Sequence, residues 1–336
     1  MIARVGGIMA KRLVSMVFIL LALSAIVFLL QQLSNESPVH AYLGANASQA
    51  AIARESKILG YDRPIIDQYF HYVAGLLHGN LQLSLRTRRP VATDLSDFLP
   101  ATIELTVFGL GLALLLGTLL GLASAGRWRG AGAFRLLMIS GASAPSFLLA
   151  LLGILWLSGG LHLLPATGDT SLTNPPTGPT GMIVVDGLLH GQLSTAWDGF
   201  LHLLLPGFCI ALGPAVSIGR VLRGSLVASM RSDYVRTARS KGLKERAVLF
   251  RHALRNALTA PLAMTGLQAG LMFAGVVVIE TVFAWPGIGL YTDESIPAGD
   301  FPAIAGVTLV LGVGYVVINT VVDILQAIAD PRIELR

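Results

Sequence analysis

The sequence has a single cysteine, few charged residues and only four lysines among its 336 residues. Because Cys209 stands alone, a disulfide bond within the chain is excluded. A phosphate-binding loop requires a lysine directly after the last glycine of a glycine-rich turn. The lysines are Lys11, Lys57, Lys241 and Lys244, and none of them follows a glycine. Hydrolysis of ATP by such a loop is therefore excluded for this chain.

Charged residues make up 13% of the sequence, whereas hydrophobic residues make up 54%. This balance lies outside the range of ordinary soluble domains and indicates a membrane protein with several spans. The net charge is +5, but the basic residues crowd beside the apolar runs. That arrangement predicts contact with anionic membrane lipid, and it predicts no nucleic-acid partner.

Six apolar runs are predicted to cross the membrane as α-helices, since its hydrocarbon core is about 30 Å thick. They cover residues 13–30, 102–125, the stretch between Arg135 and about 157, 200–218, 262–283 and 303–328. Pro145 interrupts the third run and requires a kink or a local rearrangement there. Gly117 with Gly121, and Gly266 with Gly270, are spaced to let a neighbouring helix approach closely. The predicted fold class is an all-α polytopic membrane protein with six transmembrane helices.

These runs divide the chain into regions. Residues 1–33 form an N-terminal cytoplasmic segment with the first span, and residues 34–100 form a polar region on the opposite, periplasmic side. Residues 101–331 hold the other spans and include the polar stretch 233–261, and residues 332–336 are a cytoplasmic tail. Basic residues support this orientation, because 18 lie on the side of both termini and 6 on the other.

Within the polar region, an amphipathic helix is predicted around residues 62–79. Asp62 can cap this helix, Pro64 stands in its first turn, and its apolar stripe ends at Gly79. Such a helix lies on the membrane or packs against neighbouring spans. His71 and His78 are interpreted as surface residues of this helix, because no third metal ligand stands at a suitable spacing.

The stretch 233–261 is polar and basic although apolar runs surround it. It has the pattern of two short helices broken at Gly242, since Lys241 complements the dipole of the first helix and glycine takes the left-handed conformation that ends a helix. The predicted buried side consists of Val235, Ala238, Ala247, Leu249, Phe250, Ala253 and Leu254. The basic residues then face water or a partner. A plain topology-determining loop is the alternative interpretation.

This stretch resembles the cytoplasmic coupling motif of permeases from binding-protein-dependent ABC importers, in particular the dipeptide, oligopeptide and nickel branch. The family pattern is Glu-Ala-Ala, three residues, then Gly. The corresponding residues here are Arg236, Thr237, Ala238 and Gly242, of which the first two depart from the pattern. The residues from His252 to Asn256 also match that branch. Lys244 stands where a small capping residue such as Ser is expected, so the second helix starts less firmly.

The resemblance implies the type I permease fold of ABC importers, in a bacterial cell membrane, with transport by alternating access. It implies as partners a second homologous permease, two ATP-binding subunits and an extracytoplasmic peptide-binding protein. It implies no cofactor in this chain, because ATP and Mg are bound by the ATPase subunits. The implied ATPase-coupling residues are Arg236, Thr237, Ala238, Arg239, Lys241, Gly242, His252 and Asn256. Arg239 and Lys241 are expected to make charged contacts with the ATPase.

The resemblance also extends to the run from Glu280 to Gly289 and to Asp330, Pro331 and Arg332 at the end of the chain. The cargo that it implies is a short peptide. Nickel or another small solute is the alternative, although no cluster of His, Cys or acidic residues in the spans favours a metal.

Two further classes of function have candidate residues in the sequence. Intramembrane acids are typical of ion-coupled transporters, and Asp323 and Glu280 are the candidates. Both stand near span ends, where water or headgroups can solvate them, so a role in pairing or hydrogen bonding is preferred. A membrane hydrolase would use Ser143, Ser146, His162 or His202, but no nucleophile motif accompanies these residues. Hydroxyls inside helices usually bond to the preceding turn.

Overall fold

The structure is a computed structural model. It describes residues 2–33, 48–59, 62–126, 128–141, 145–173, 175 and 178–329. Throughout these ranges the regular structure is helical, and an isolated antiparallel bridge between Leu83 and Pro90 is the one pairing of extended residues. A helix satisfies its backbone hydrogen bonds internally, as the bilayer core requires. The predicted all-α class is therefore confirmed.

The α-helices are α1 (Ile2–Leu33), α2 (Gln49–Leu59), α3 (Ile65–Leu77), α4 (Val91–Ala125), α5 (Ala131–Gly141), α6 (Ser146–Gly153), α7 (Ile183–Leu189), α8 (Leu193–Met230), α9 (Asp233–Ser240), α10 (Glu245–Ala247), α11 (Leu254–Ala257), α12 (Thr259–Phe283), α13 (Ile288–Ser295) and α14 (Phe301–Ala329). Two π-helical turns, Ile154–Gly160 and Val248–Ala253, directly follow α6 and α10.

Five helical stretches in the described chain are long and apolar enough to cross a membrane. They are Arg12–Leu33, Val91–Ala125, Leu193–Met230, Thr259–Phe283 and Phe301–Ile324. The third predicted run is divided, because α5 ends at Gly141 and α6 begins at Ser146 after an extended Pro145. The rearrangement predicted at Pro145 is confirmed. A shorter apolar helical stretch, Ser146–Gly160, stands where the remaining span was expected.

The start of α4 differs from the prediction, because this helix begins at Val91 rather than near residue 102. Its first turns mix polar and apolar residues, so hydropathy alone assigned them to the polar region. In the structure, Val91 and Leu95 are buried against Ile288 and Tyr291. Tertiary burial therefore extends the helix through a segment that is too polar to be recognised as part of a span.

Glycines bring the long helices into close contact. An added Cβ atom at Gly117 or Gly121 of α4 would lie 2.8 Å from an atom of α8. At Gly266 and Gly270 of α12, it would lie 2.4 and 2.7 Å from side-chain atoms of α14. Real Cβ contacts are not this short, so both glycine pairs serve the close helix approach that was predicted for them.

Helix α3 packs against the first span through aromatic side chains. The ring of Phe28 lies 5.4 Å from that of Tyr69 and 5.9 Å from that of Tyr72, measured between centroids. The predicted cap is wrong, because Pro64 rather than Asp62 occupies the N-cap position and no side chain caps this helix. The opposite side of α3 is exposed, with Ile65, Ile66, Phe70, His71, Leu77 and His78. Of the two predicted arrangements, the structure shows packing against a span.

Candidate functional site

The predicted helix break at Gly242 is present. Helix α9 ends at Ser240, Lys241 is its C-cap residue, and Gly242 has a φ angle of +76°. The N–H of Gly242 donates to the carbonyl of Arg239 at 2.9 Å. An added Cβ atom at Gly242 would meet nothing within 4 Å. Backbone conformation, rather than lack of space, therefore requires glycine at this position.

The second half of the element begins at Lys244, which is the N-cap residue of α10 and makes no capping hydrogen bond with its side chain. A π-helical turn then replaces the regular α-helix that was expected. Because its hydrogen bonds run from residue i to i+5, it rotates the following residues around the helix axis. Val248 and Ala253, five positions apart, are buried, whereas Phe250 is 56% exposed. The prediction that Phe250 is buried was therefore wrong.

An apolar cluster, here called the coupling cluster, holds both halves of the element together. Its buried members are Leu226, Val235, Ala238, Val248, Ala253 and Ala257, and Leu122, Ala125, Met230 and Leu249 pack around them. These residues come from α4, α8, α9, the π-turn and α11. Burial of each Val or Leu side chain contributes about 1.5–3 kcal/mol. The element is therefore seated on adjacent ends of two long spans, and it is not a free loop.

A bidentate ion pair crosses the Gly242 turn. The Nε and Nη2 atoms of Arg239 donate to the two carboxylate oxygens of Glu245 at 2.8 and 3.2 Å. The hydrogen bond from Arg239 lowers the pKa of Glu245, and the same bond raises the pKa of Arg239. Both side chains are exposed. The guanidinium of Arg239 is thus engaged within the element, and its charged contact with the ATPase stays a prediction.

The other predicted coupling residues divide between the surface and the core. Arg236, Thr237, Lys241, Gly242 and Asn256 are exposed, His252 is half-buried, and Ala238 is buried. Arg236 lies 3.5 Å from the carboxylate of Asp233, and the hydroxyl of Thr237 donates to the carbonyl of Asp233 at 3.0 Å. The basic side chains therefore lie on the solvent side as predicted, whereas Ala238 contributes to the coupling cluster.

Sequence reasoning missed a polar contact beside this cluster. The hydroxyl oxygens of Ser229 and Tyr234 lie 2.5 Å apart, and Ser229 donates to the carbonyl of Ala253 at 2.9 Å. A serine in the last turn of a span carries no recognisable signal, because most such hydroxyls bond within their own helix. Only the fold brings these three residues together.

The second stretch that carried the resemblance forms a buried turn after α12. Glu280 is fully buried, and one of its carboxylate oxygens accepts the N–H of Gly289 at 2.6 Å. The expectation that water or headgroups solvate Glu280 was therefore wrong. An added Cβ atom at Gly287 would lie 2.3 Å from this carboxylate. Gly287 and Gly289 therefore leave room for the Glu280 carboxylate. A side chain at Gly287 would collide with this carboxylate, and a side chain at Gly289 would collide with it and with Val277 of α12.

The same turn is bound to α4. The indole N–H of Trp285 donates to the carbonyl of Ala101 at 2.9 Å, and the N–H of Ile288 donates to the hydroxyl of Thr102 at 2.9 Å. Trp285, Thr102 and Ile288 are all almost fully buried. Helix α4 therefore contacts the coupling cluster near Ala125 and this turn near Ala101.

The second acid considered for ion coupling is paired. Asp323 of α14 accepts a hydrogen bond from Nε of Arg12 at 2.8 Å and a second from the Nη2 atom of the same guanidinium. This ion pair joins the first and last spans. It agrees with the predicted role of Asp323 in pairing.

The residues considered for a hydrolase are not assembled around one reacting atom in the part of the chain described by the structure. His202 is buried; its Nδ1 atom lies 2.9 Å from the carbonyl oxygen of Asp198 and its Nε2 atom 3.4 Å from the hydroxyl of Ser171. His162 and Ser146 are exposed, and Ser143 lies outside the described residues. The carboxylate of Asp198 accepts hydrogen bonds from the Thr170 hydroxyl and the Ser171 N–H, each at 2.7 Å, so Asp198 and His202 hold this loop against α8.

The described residues contain no group of three or more His, Cys, Asp and Glu side chains that could hold a metal ion. The feature that stands out is the basic element on the coupling cluster. Together with the long apolar helices, it defines a polytopic membrane protein that presents an exposed basic surface at one end of its helices.

Comparison with known proteins specifies that class. The family model for the inner membrane component of binding-protein-dependent transport systems matches residues 113–335, and the model for the N-terminal part of such components matches residues 7–106. The chain therefore belongs to the family of binding-protein-dependent transport system inner membrane components, and it is a multi-pass membrane protein.

Curated relatives match along nearly the whole chain. A dipeptide transport system permease protein, DppB, of Alkalihalophilus pseudofirmus is 37% identical, with 96% of this chain and 98% of the relative covered. A probable D,D-dipeptide transport system permease protein, DdpB, of Escherichia coli K12 is 38% identical, with 97% of each covered. A di/tripeptide transport system permease protein, DppB, of Pseudomonas aeruginosa is 35% identical, with 96% and 97% covered.

Proposed function

We propose that this chain is a permease subunit of an ATP-driven importer, and that it moves short peptides into the cytoplasm by alternating access. The observation that carries the proposal is the exposed basic element around Gly242, which is seated on the ends of α4 and α8. The names of the curated relatives, which refer to dipeptides and tripeptides, support the choice of cargo.

In this mechanism the partner ATPase moves α9, and α9 moves the spans. A flexible loop in the place of α9 would change shape when the ATPase moved it, and the spans would stay where they are. A helix that is packed against the spans moves together with them as a rigid body. Val235 and Ala238 of α9 are buried against Leu226 of α8 in the coupling cluster. A push on the exposed side of α9 therefore acts directly on α8 and, through Leu122 and Ala125, on α4.

The residues of the element take different roles in this proposal. Arg236, Thr237 and Lys241 face the ATPase surface, since their side chains are exposed on α9 and its C-cap. Gly242 sets the angle between the two halves. Arg239 braces that angle through Glu245, and Ala238 holds α9 against the cluster.

His252 and Asn256 belong to the second half of the element. Asn256 is exposed on α11, directly before Ala257 of the coupling cluster. His252, half-buried on the π-turn, extends the contact surface beyond the turn. We assign both residues to support of the docked element rather than to chemistry.

The proposed assembly contains a second homologous permease, two ATP-binding subunits and an extracytoplasmic peptide-binding protein. ATP and Mg bind to the ATPase subunits, and this chain contributes no catalytic group. Both termini and the basic element lie in the cytoplasm, since 18 of the 24 basic residues fall on that side. Anionic lipid contacts the same side.

The proposal is tested by purifying the tagged chain from its native membrane and identifying its partners by mass spectrometry. We expect two ATPase subunits, a second permease and ATP hydrolysis by the intact complex. Uptake is then measured with labelled dipeptides and with nickel. Recovery of the chain as a homo-oligomer without ATPase activity would overturn the importer proposal, and uptake of nickel instead of peptide would overturn the cargo.

Two variants at Gly242 test the coupling role. Gly242→Val places a β-branched residue at φ +76° and should abolish peptide uptake while ATP hydrolysis continues. Gly242→Asn is the matched control, because asparagine tolerates the left-handed region and the site has free space. Normal uptake by Gly242→Val would contradict the role of this turn.

A further inference from the structure

We infer that Ser229 is a positioning residue for energy coupling: its hydroxyl fixes the angle between the coupling element and the end of α8. The inference rests on the proposed function and adds to it the site where movement of α9 enters the membrane part. Ser229 lies in the last turn of α8, three residues before the N-cap of α9.

The direction of the two hydrogen bonds at Ser229 is determined by the number of available protons. A serine hydroxyl donates one hydrogen bond. Ser229 directs its proton to the carbonyl oxygen of Ala253 at 2.9 Å. The 2.5 Å contact with Tyr234 must then use the tyrosine proton, with the Ser229 oxygen as acceptor. The result is a directed chain from Tyr234 through Ser229 to Ala253.

This chain joins three separate elements. Tyr234 is in the first turn of α9, Ser229 is in α8, and Ala253 is the last residue of the π-turn. One neighbour adds to this polar layer, since the hydroxyl of Ser232 donates to the carbonyl of Ser229 at 2.5 Å. The layer lies directly beside the coupling cluster, of which Ala253 is a member.

The position of Ser229 is significant because the connection between α8 and α9 is very short. Only Arg231 and Ser232 separate the two helices, and Ser232 is extended with φ −72° and ψ 158°. Rotation about the backbone of these two residues would change the angle between α8 and α9, so they form a hinge. Apolar contacts in the cluster are not directional, so they resist separation of the helices better than rotation. Hydrogen bonds weaken when donor, proton and acceptor depart from a nearly linear arrangement. The two hydrogen bonds of Ser229 therefore limit rotation of α9 relative to α8.

Without the Ser229 hydroxyl, α9 should still dock on the ATPase. When the ATPase moves α9, however, α9 should partly rotate about Arg231 and Ser232 and displace α8 less. ATP hydrolysis would continue, and fewer peptides would be carried for each ATP. The ratio of ATP hydrolysed to peptide transported is thus the quantity that reports a positioning role, since simple loss of folded complex lowers both rates together.

The test uses the complete transporter, with both permeases, the ATPases and the binding protein, reconstituted in lipid vesicles. Ser229→Ala removes the central hydroxyl, and Tyr234→Phe removes the donor while it keeps the ring. Ser229→Thr retains a hydroxyl. Ser240→Ala is the matched control, because the Ser240 hydroxyl bonds to Arg236 within α9 and links no other element.

We expect Ser229→Ala and Tyr234→Phe to raise the ATP-to-peptide ratio about two- to tenfold, the range that corresponds to one lost hydrogen bond. Ser229→Thr and Ser240→Ala should keep the wild-type ratio. An unchanged ratio in both Ser229→Ala and Tyr234→Phe overturns the inference, as does a loss of both activities in proportion to the amount of assembled complex. If the wild-type complex hydrolyses no ATP or carries no peptide, the proposed function fails first and the inference fails with it.

Discussion

Arg239 and Glu245 face each other across Gly242, with the guanidinium donating two hydrogen bonds of 2.8 and 3.2 Å to the carboxylate. A third, longer contact of 3.5 Å joins Arg239 to the carbonyl of Met230 at the end of α8. One arginine therefore links the end of a span, the helix α9 and the segment after the turn. The planar guanidinium suits such a site, because its donors match a carboxylate in a fixed geometry.

The first prediction concerns this pair. Replacing Arg239 by Glu, or Glu245 by Arg, places like charges across the turn and should lower the number of peptides carried per ATP. The double variant Arg239→Glu with Glu245→Arg restores opposite charges and should recover most of that coupling. Uptake and ATP hydrolysis in reconstituted vesicles measure both effects. Failure of the double variant to recover would indicate that Arg239 contacts the ATPase directly.

The second prediction concerns the contact between α4 and α8. Gly117→Ala places a Cβ atom 2.8 Å from the carbonyl oxygen of Ala215, so the two backbones must separate at a cost of about 1–3 kcal/mol. Gly111→Ala on the same helix meets nothing within 4 Å and is the matched control. Thermal unfolding in detergent should show a lower Tm for Gly117→Ala alone. Equal Tm values for the two variants would contradict the close packing.

The third prediction concerns the buried turn after α12. A Cβ atom at Gly289 would lie 2.5 Å from the Cα atom of Val277 and 2.7 Å from the Glu280 carboxylate. Gly289→Ala should therefore displace the turn and reduce the yield of folded protein, with a loss of stability of about 1–3 kcal/mol. Gly275→Ala, at an open position of α12, should be close to neutral. Monodispersity in detergent and Tm are the measurements, and a normal Gly289→Ala protein would refute the packing argument.

The fourth prediction separates a structural role of Asp323 from ion coupling. Asp323→Asn leaves the Arg12 guanidinium with a weaker acceptor, so stability should fall by about 2 kcal/mol, typical of a hydrogen bond to a charged group. Exchange of the two residues, Arg12→Asp with Asp323→Arg, should restore part of the Tm. Uptake by Asp323→Asn should remain ATP-driven and insensitive to a protonophore. If a protonophore abolishes uptake by the wild-type protein and Asp323→Asn loses that uptake, the result would instead support an ion-coupled carrier.

Much of the framework could be predicted from local sequence properties. Apolar runs predicted the long spans, a proline predicted the division of the third one, and the glycine pairs Gly117–Gly121 and Gly266–Gly270 predicted close helix contacts. Helix boundaries were less accurate. The start of α4 was placed near 102 instead of Val91, because its first turns are polar in sequence and become buried only against α13 and α14.

The candidate site was predicted in part. Gly242 and the exposed basic side of α9 follow from helix periodicity and the φ preference of glycine, and the structure has both. The burial of Val248 in place of Phe250 could not be predicted, because it depends on a π-turn that changes the helical period. The bonds of Arg239 and Ser229 were missed for a related reason, since each reaches an element beyond its own helix.

The sequence by itself determined the class of protein, the order of its apolar runs, and the position of a basic element broken at Gly242. Hydropathy, periodicity and backbone preference are properties of short segments, so they can be determined from the sequence without knowledge of the fold. Only the tertiary structure decided that Glu280 is buried and bonded to Gly289, that α4 links the coupling cluster to the turn at Trp285, and that Ser229 meets Tyr234 and Ala253. These contacts join segments whose side chains select one another by shape and hydrogen-bond direction, and such complementarity exists only once the helices are packed.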